Sequence, residues 1–320
     1  MARLVRCCIA VFALTLGLFA GYTNALAAYP TKPIELYVPT SAGGGSDLFA
    51  RQLAKIVSDK NLSPQPIVVI NKPGGSSTIG YNYVAKQKNN PYVLSITNSS
   101  YYTVPLAGKS PVSFNDFQHI ALMCQDPMFL VASAKAPYKN MAALLAYGKT
   151  AGNKIIAAGT STLSEDALSF YALRSVTGIN ADYVPFNSSG EVLTQLMGNH
   201  VQIGFLGPSE AASQIESGDV YPLASTTGAR LLGYPNVPTL KESNIPVELC
   251  QNRGVVAPLG IDAEAIAFLE ALFKKVSETE EWKEYLRKND MVPNFMNAKE
   301  FSEFSPRINA VYAEYRKYVK

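Results

Sequence analysis

Short apolar, β-branched runs alternate along this chain with longer segments whose apolar positions recur every three or four residues. The first pattern fits a buried strand and the second an amphipathic helix. Residues 34–38, 67–70 and 93–97 therefore predict strands, with helices at 47–60 and 79–87 between them. Gly, Pro and Asn mark the joints. The alternation runs on through strands at 129–133, 155–158, 181–185 and 202–206, with helices at 141–150, 165–177, 191–197 and 209–217. Arg253 to Pro258 predicts another strand, and helices follow at 262–277, at 280–289 and from 298 onward. Such alternation predicts an α/β fold built on parallel, doubly wound sheets. Ligands in open α/β sheets lie beyond the carboxyl ends of the strands.

Three of those ends carry the same phrase: a strand, a loop of Gly, Ser, Thr or Asn, then an acid opening a helix. After Leu36-Tyr37-Val38-Pro39 comes Thr40-Ser41-Ala42-Gly43-Gly44-Gly45-Ser46-Asp47. After residues 155–158 comes Gly159-Thr160-Ser161-Thr162-Leu163-Ser164-Glu165-Asp166, and after Tyr183-Val184-Pro185-Phe186 comes Asn187-Ser188-Ser189-Gly190-Glu191. Loops of this kind present backbone N–H groups and hydroxyls at the positive end of a helix, an anion site made without basic side chains. Ser41, Ala42, Gly43, Gly44, Gly45 and Ser46 are the leading candidates, because three successive glycines let the backbone approach a ligand closely. Asp47 is expected to cap its own helix, since a carboxylate there repels an anion. Asn98 and Ser99 end the third strand and either face the ligand or cap the next turn. Thr160, Ser161, Thr162 and Ser164 are candidates in the middle of the chain, with N-capping as the alternative for Ser164. Asn187, Ser188 and Ser189 complete the set, and Glu210 and Arg253 are the charged candidates. Arg253 either forks onto a ligand carboxylate or pairs with Glu210.

The amino terminus changes the compartment rather than the fold. Arg3 and Arg6 precede an almost wholly apolar stretch from Cys7 to Ala20, and Ala25-Leu26-Ala27 is a small-x-small cleavage site. This reads as a secretory signal peptide over 1–27, and export to the periplasm is expected. The whole chain carries 28 Lys and Arg against 25 Asp and Glu; loss of Arg3 and Arg6 leaves 26 against 25. A near-neutral surface without basic runs argues against nucleic acid. Two histidines and no ligand spacing argue against a metal site or cofactor. His119 and His200 read as structural or surface residues, and no Gly-x-Ser-x-Gly elbow supports a catalytic serine.

Several segments together resemble the Bug/TctC family, the periplasmic solute receptors of tripartite tricarboxylate transporters. They are Tyr29-Pro30-x-Lys32-Pro33-Ile34, the Ala42–Asp47 loop with Ala50-Arg51, Asn71-Lys72-Pro73-Gly74-Gly75 reaching Gly80, and Val184-Pro185-Phe186 with Gly190-Glu191. Asn236-Val237-Pro238-Thr239-Leu240-Lys241-Glu242, Gly207-Pro208-Ser209-Glu210 and Arg253–Pro258 follow in order. The resemblance implies a two-lobed periplasmic-binding-protein fold, each lobe a doubly wound sheet, joined by two crossing hinge strands. The implied lobes are 29–124 plus 252–320, and 125–251. It implies a non-enzymatic, monomeric receptor for a small di- or tricarboxylate, citrate first, that delivers its ligand to membrane permease subunits. A secreted hydrolase using Ser41 or Ser161, and a ligand-binding partner of a sensor kinase, are the alternatives. Leu163, Ala167 and Asn187-Ser188-Ser189 depart from the family pattern at the implied pocket. With the crossings near Cys124 and Cys250, these two cysteines either bond across the hinge or remain separate buried thiols.

Overall fold

The computed structural model describes residues 29–186 and 188–319. The signal segment 1–27 and Asn187 lie outside the described residues. Eleven strands among those described form two sheets. The first has six strands in the order β11-β4-β10-β3-β1-β2. These are β1 Ile34–Val38, β2 Ile67–Asn71, β3 Val93–Ile96, β4 Phe117–Asp126, β10 Gln251–Pro258 and β11 Val292–Met296. The second has the order β7-β6-β8-β5-β9, from β5 Phe129–Ser133, β6 Ile155–Gly159, β7 Ala181–Pro185, β8 Ile203–Leu206 and β9 Val220–Ser225.

The sheets are mixed, where the alternation predicts parallel ones. β1 runs parallel to β2 and β3, and β6 parallel to β7 and β8. β10 is antiparallel to β3 and β4, β11 to β4, and β5 to both β8 and β9. β9 and β11 are absent from the sequence prediction for a physical reason. Each contains a proline, Pro222 or Pro293, which argues against a central strand. Both stand at a sheet edge, where a missing N–H is tolerated.

Helices cover both faces of each sheet. α1 Gly45–Asp59, α8 Ala263–Glu278 and α9 Glu280–Lys288 pack Phe49, Leu53, Phe273 and Trp282 on one face of the first sheet. α2 Thr78–Ala85, α3 Ser100–Leu106 and α10 Ala298–Arg316 pack Tyr81, Tyr101, Tyr102 and Phe301 on the other. In the second sheet α4 Met141–Lys149 and α5 Glu165–Thr177 bury Leu144, Phe170 and Leu173. On the opposite face α6 Ser189–Gly198 and α7 Pro208–Glu216 bury Val192, Leu196 and Ala211.

The chain passes between lobes twice, from Asp126 to Phe129 and from Ser225 to Gln251. The two passages are laced together. Thr226 N–H donates to Met128 O at 2.9 Å, Met128 N–H to Thr226 Oγ1 at 3.1 Å, and Leu249 N–H to Thr226 O at 3.1 Å. α10 straps the lobes from outside. Phe301 lies in the first lobe's core, whereas the Tyr315 hydroxyl donates to Pro246 O and accepts from Glu248 N–H, both at 2.9 Å.

The bridge weighed for Cys124 and Cys250 is corrected here, because both thiols are free. Across the β4–β10 ladder Cys124 stands opposite Arg253. Cys250 is three residues further along, roughly 10 Å of strand, well beyond disulfide reach. Cys124 Sγ instead contacts Met291 Sδ at 3.9 Å. Burial pushes the Cys250 thiol up to about 12 and the Cys124 thiol higher still, so neither is a ready nucleophile.

Candidate functional site

The loop between β1 and α1 is built to leave donors free. Gly43 takes φ +83°, a left-handed turn that a side chain disfavours. α1 then starts at Gly45 with no side-chain cap from Gly44. Asp47 turns back and accepts the Gly43 N–H at 2.9 Å. Its carboxylate also takes Arg51 Nε and Asn71 Nδ2, each at 2.9 Å. Burial raises the Asp47 pKa, but the Arg51, Gly43 and Asn71 bonds outweigh it and leave the group below the usual carboxylate range. Asn71 also donates to Thr40 O at 3.2 Å, so β2 holds the loop from behind. The Gly43 N–H, a sequence candidate, is thus occupied by the chain itself. The N–H groups of Gly44, Gly45 and Ser46 have no protein acceptor among the described residues. Ser41 to Gly45 are exposed.

Arg253 stands beside these donors. It is buried, 5 % exposed, at a bulge in β10. Its Nε donates to Asp126 Oδ2 at 2.9 Å, Nη2 pairs with the same carboxylate, and Nη1 donates to Ser46 Oγ at 3.3 Å. A Cβ on Gly45 would come within 3.1 Å of Nη2, so this glycine lets helix and guanidinium approach. The partner of Arg253 is therefore Asp126 and not Glu210. Asp126 escapes the sequence reading because the pairing spans 127 residues and depends on cross-strand register.

The second lobe's loops are organised differently. Asp166 accepts the Thr160 N–H, Thr160 Oγ1 at 2.9 Å, the Ala167 N–H at 2.9 Å and the Ser164 hydroxyl. Ser161 O accepts from Tyr183 OH at 2.8 Å, and Ser161 Oγ from Leu163 N–H at 3.1 Å. Thr160, Ser161 and Ser164 thus serve their own loop, while Thr162 is exposed. Burial lifts Asp166 to about 6, against the Thr160 and Ala167 bonds and with a contribution from Glu165. Glu165, 2 % exposed, is also raised by burial and accepts from Tyr312 OH at 2.5 Å and from the Ser99 hydroxyl. Asn98 is buried and engaged with Tyr81 and Ser77, a structural role. Ser188 Oγ caps α6 through the Glu191 N–H at 3.2 Å. Glu210 accepts the Gly207 N–H at 2.8 Å and the Ser189 hydroxyl. Asp126 and Arg253 both act on Glu210, and Arg253 also acts on Glu165. Ser46 and Asp126 thus contact Arg253 directly, while Glu165 and Glu210 feel its charge without touching it.

His119 is buried in the first lobe, held by Ser305 Oγ at 2.8 Å, and burial lowers it to about 4. It is not placed to activate Ser41 or Ser161. His200 is exposed at the end of α6. A separate apolar groove of about 1260 Å³ lies behind the hinge, lined by Trp282, Met291 and Tyr315 among others, and shares no residue with these loops.

The family model described as "Tripartite tricarboxylate transporter family receptor" matches residues 49–309. The chain belongs to this family. The receptor is 29% identical over 306 residues to a protein from the gbd 5' region of Cupriavidus necator, covering 94% of this chain and 92% of that one. It is similar to a TctC solute binding protein from Polaromonas at 28% identity and TM-score 0.75, covering 90% of this chain and 99% of that one. An R. palustris protein solved with adipate shares the fold at TM-score 0.82 and 23% identity, with 91% and 98% of the two chains covered. No helix among the receptor's described residues is long and apolar enough to cross a membrane.

Proposed function

We propose that this receptor works outside the cytoplasmic membrane, captures a small carboxylate between its lobes and passes it to the permease subunits of a tripartite transporter. The observation that carries the reading is the set of free N–H groups at Gly44, Gly45 and Ser46, facing a hinge cation. Orphan donors at a helix start, reinforced by the helix dipole, hold an anion without a titratable base. The lobes are proposed as 29–124 with 252–320, and 125–251, closing about the passages near Asp126 and Gln251. Closure follows ligand binding only as far as the ligand gains contacts in the closed form. Adipate on the R. palustris relative supports a carboxylate class. Cleavage of the signal segment and export to the periplasm as a monomer complete the reading.

Calorimetric titration of the purified mature chain against a carboxylate panel tests it. Saturable one-site binding, without turnover of any panel member, is the expected result. Turnover of esters or amides by the same protein would favour a hydrolase instead.

A further inference from the structure

Three links join the lobes. The two covalent passages are laced to each other at Met128, Thr226 and Leu249. The third link is the C-terminal helix. Along α10, Phe301, Ser305, Ile308, Tyr312 and Tyr315 fall on one stripe at spacings of three and four. The stripe begins on the first lobe, where Phe301 is fully buried and Ser305 Oγ lies 2.8 Å from His119 Nε2 and 3.0 Å from Tyr102 OH. It ends on the second. Tyr315, about 21 Å along the helix from Phe301, bonds to Pro246 and Glu248 and packs with Tyr318 against the second lobe's core.

Tyr312 stands where the stripe changes lobes. Its ring stacks on Tyr102 of the first lobe, 5.5 Å between centroids. Its hydroxyl donates to Glu165 Oε1 at 2.5 Å and lies 3.4 Å from Cys250 O, at the end of the second passage. Glu165 opens α5 of the second lobe and is 2 % exposed. Leu168, one turn on, is buried in the first lobe's aromatic cluster with Tyr102 and Tyr312. The Ser99 hydroxyl, also of the first lobe, is a second donor to Glu165. The second lobe thus gives up a buried carboxylate to hydroxyls of the first, and such a group is costly to leave unpaired.

Lobes tied at two neighbouring points can bend about the line through them, and can also twist and slide. A third tie far from that line blocks the bend. A third tie beside it blocks only the twist and the slide. Tyr312 reaches Cys250 O, one residue past the Leu249 that laces the passages, so its tie lies beside the line. We propose that the Glu165–Tyr312 pair is the pivot of the receptor: it stays made as the lobes open and close, confines their motion to one bend, and so tunes affinity without touching the ligand. The link to affinity rests on the receptor reading above. An unconfined lobe has more arrangements to give up when a ligand is held, and binding weakens.

Spin labels on Lys55→Cys in α1 and Lys149→Cys in α4, both exposed positions, read the distance between the lobes by double electron–electron resonance. Neither native thiol is a ready nucleophile that would compete for label. Without ligand, Tyr312→Phe keeps the stacked ring and should give a distance distribution roughly two-fold wider than the native one. Glu165→Gln keeps an acceptor for Tyr312 and should stay near the native width. Glu165→Leu with Tyr312→Phe removes the buried charge together with its donor, so the chain folds, and should be at least as wide as Tyr312→Phe. In calorimetry both widened proteins should bind the tightest carboxylate of the panel about five-fold or more weakly. A native width in either, or a Glu165→Gln protein as wide as Tyr312→Phe, would overturn the pivot. Unchanged affinity in a widened protein would overturn its hold on the cleft. The widths are read without ligand, so a panel in which no carboxylate binds would remove the receptor reading and leave the pivot itself standing.

Discussion

Replacing Asp126 by Ala separates what Arg253 does for the fold from what it does for a ligand. The guanidinium is 5 % exposed and its partner side chain 17 %. Removing one member of a buried ion pair leaves a charge without compensation, at about 3–5 kcal/mol. Ser46 Oγ still accepts from Nη1, and solvent reaches the vacated position, so the lower end applies, about 3 kcal/mol. With an unfolding entropy of ~2.1 cal/mol/K per residue, that lowers Tm by about 5 °C for a mature chain of this size. The double change Asp126→Leu with Arg253→Met replaces the pair by apolar groups of similar volume and should recover stability to within ~1 kcal/mol.

Thermal unfolding of the three proteins, followed by calorimetric titration with the tightest ligand found, makes the comparison. Because Arg253 is already forked onto Asp126, the double variant should keep most of its affinity, losing about ten-fold or less. A clamp that the ligand takes over from Asp126 would instead cost about 2–4 kcal/mol. A loss beyond a hundred-fold would refute the supporting role of Arg253. An Asp126→Ala protein as stable as the native one would refute the buried-pair argument itself.

Gly44 has φ −83° and a new Cβ there would meet only Ser41 O at 3.9 Å, so Gly44→Asp should fold normally. Its carboxylate beside the free N–H groups should weaken carboxylate binding by on the order of a hundred-fold, read by calorimetry. Tyr312→Phe removes the hydroxyl that donates to buried Glu165 and should cost about 1.5–3 kcal/mol in denaturant unfolding. Burial lifts Asp166 from its ordinary value of 3.8 to about 6, so the folded state binds its proton better between about pH 4 and 6. Its contribution to stability therefore falls as pH rises through that window and is flat above it, by about 3 kcal/mol at most. Asp166→Asn should flatten that slope in native-minus-variant unfolding curves, and an unchanged difference would contradict the shift.

The elements with strong periodicity and clear punctuation were legible in the sequence. β1, β5, β7 and α5 have the predicted bounds because Gly, Pro or Asn flank each of them. The edge strands β9 and β11 were hidden by their prolines. The glycine loop was legible as a place of close backbone approach, since three successive glycines have no use inside a helix core. Which of its N–H groups stay free was not, because that depends on the Asp47 side chain reaching Gly43 while Asn71 holds it from another strand. The role of Arg253 depended on a partner 127 residues away.

The second lobe shows why a helix start cannot be assigned from sequence alone. The signature of an anion site is a row of unsatisfied N–H groups at the positive end of a helix. It is indifferent to whether the anion is a ligand or a side chain of the same loop. In the Ser41–Asp47 loop the acid sits at the third helical position and captures one donor, leaving three. In the Thr160–Asp166 loop Asp166, at the second position, gathers the N–H groups of Thr160 and Ala167 and the hydroxyls of Thr160 and Ser164. Both loops thus keep N–H groups without a protein acceptor among the described residues, Gly44, Gly45 and Ser46 in the first and Ser161, Thr162 and Ser164 in the second, and each has lost some of its donors to an acid of its own helix. A ligand held between the lobes would find such donors on both sides, and the contacts it gains on the second lobe decide how far that lobe closes on it.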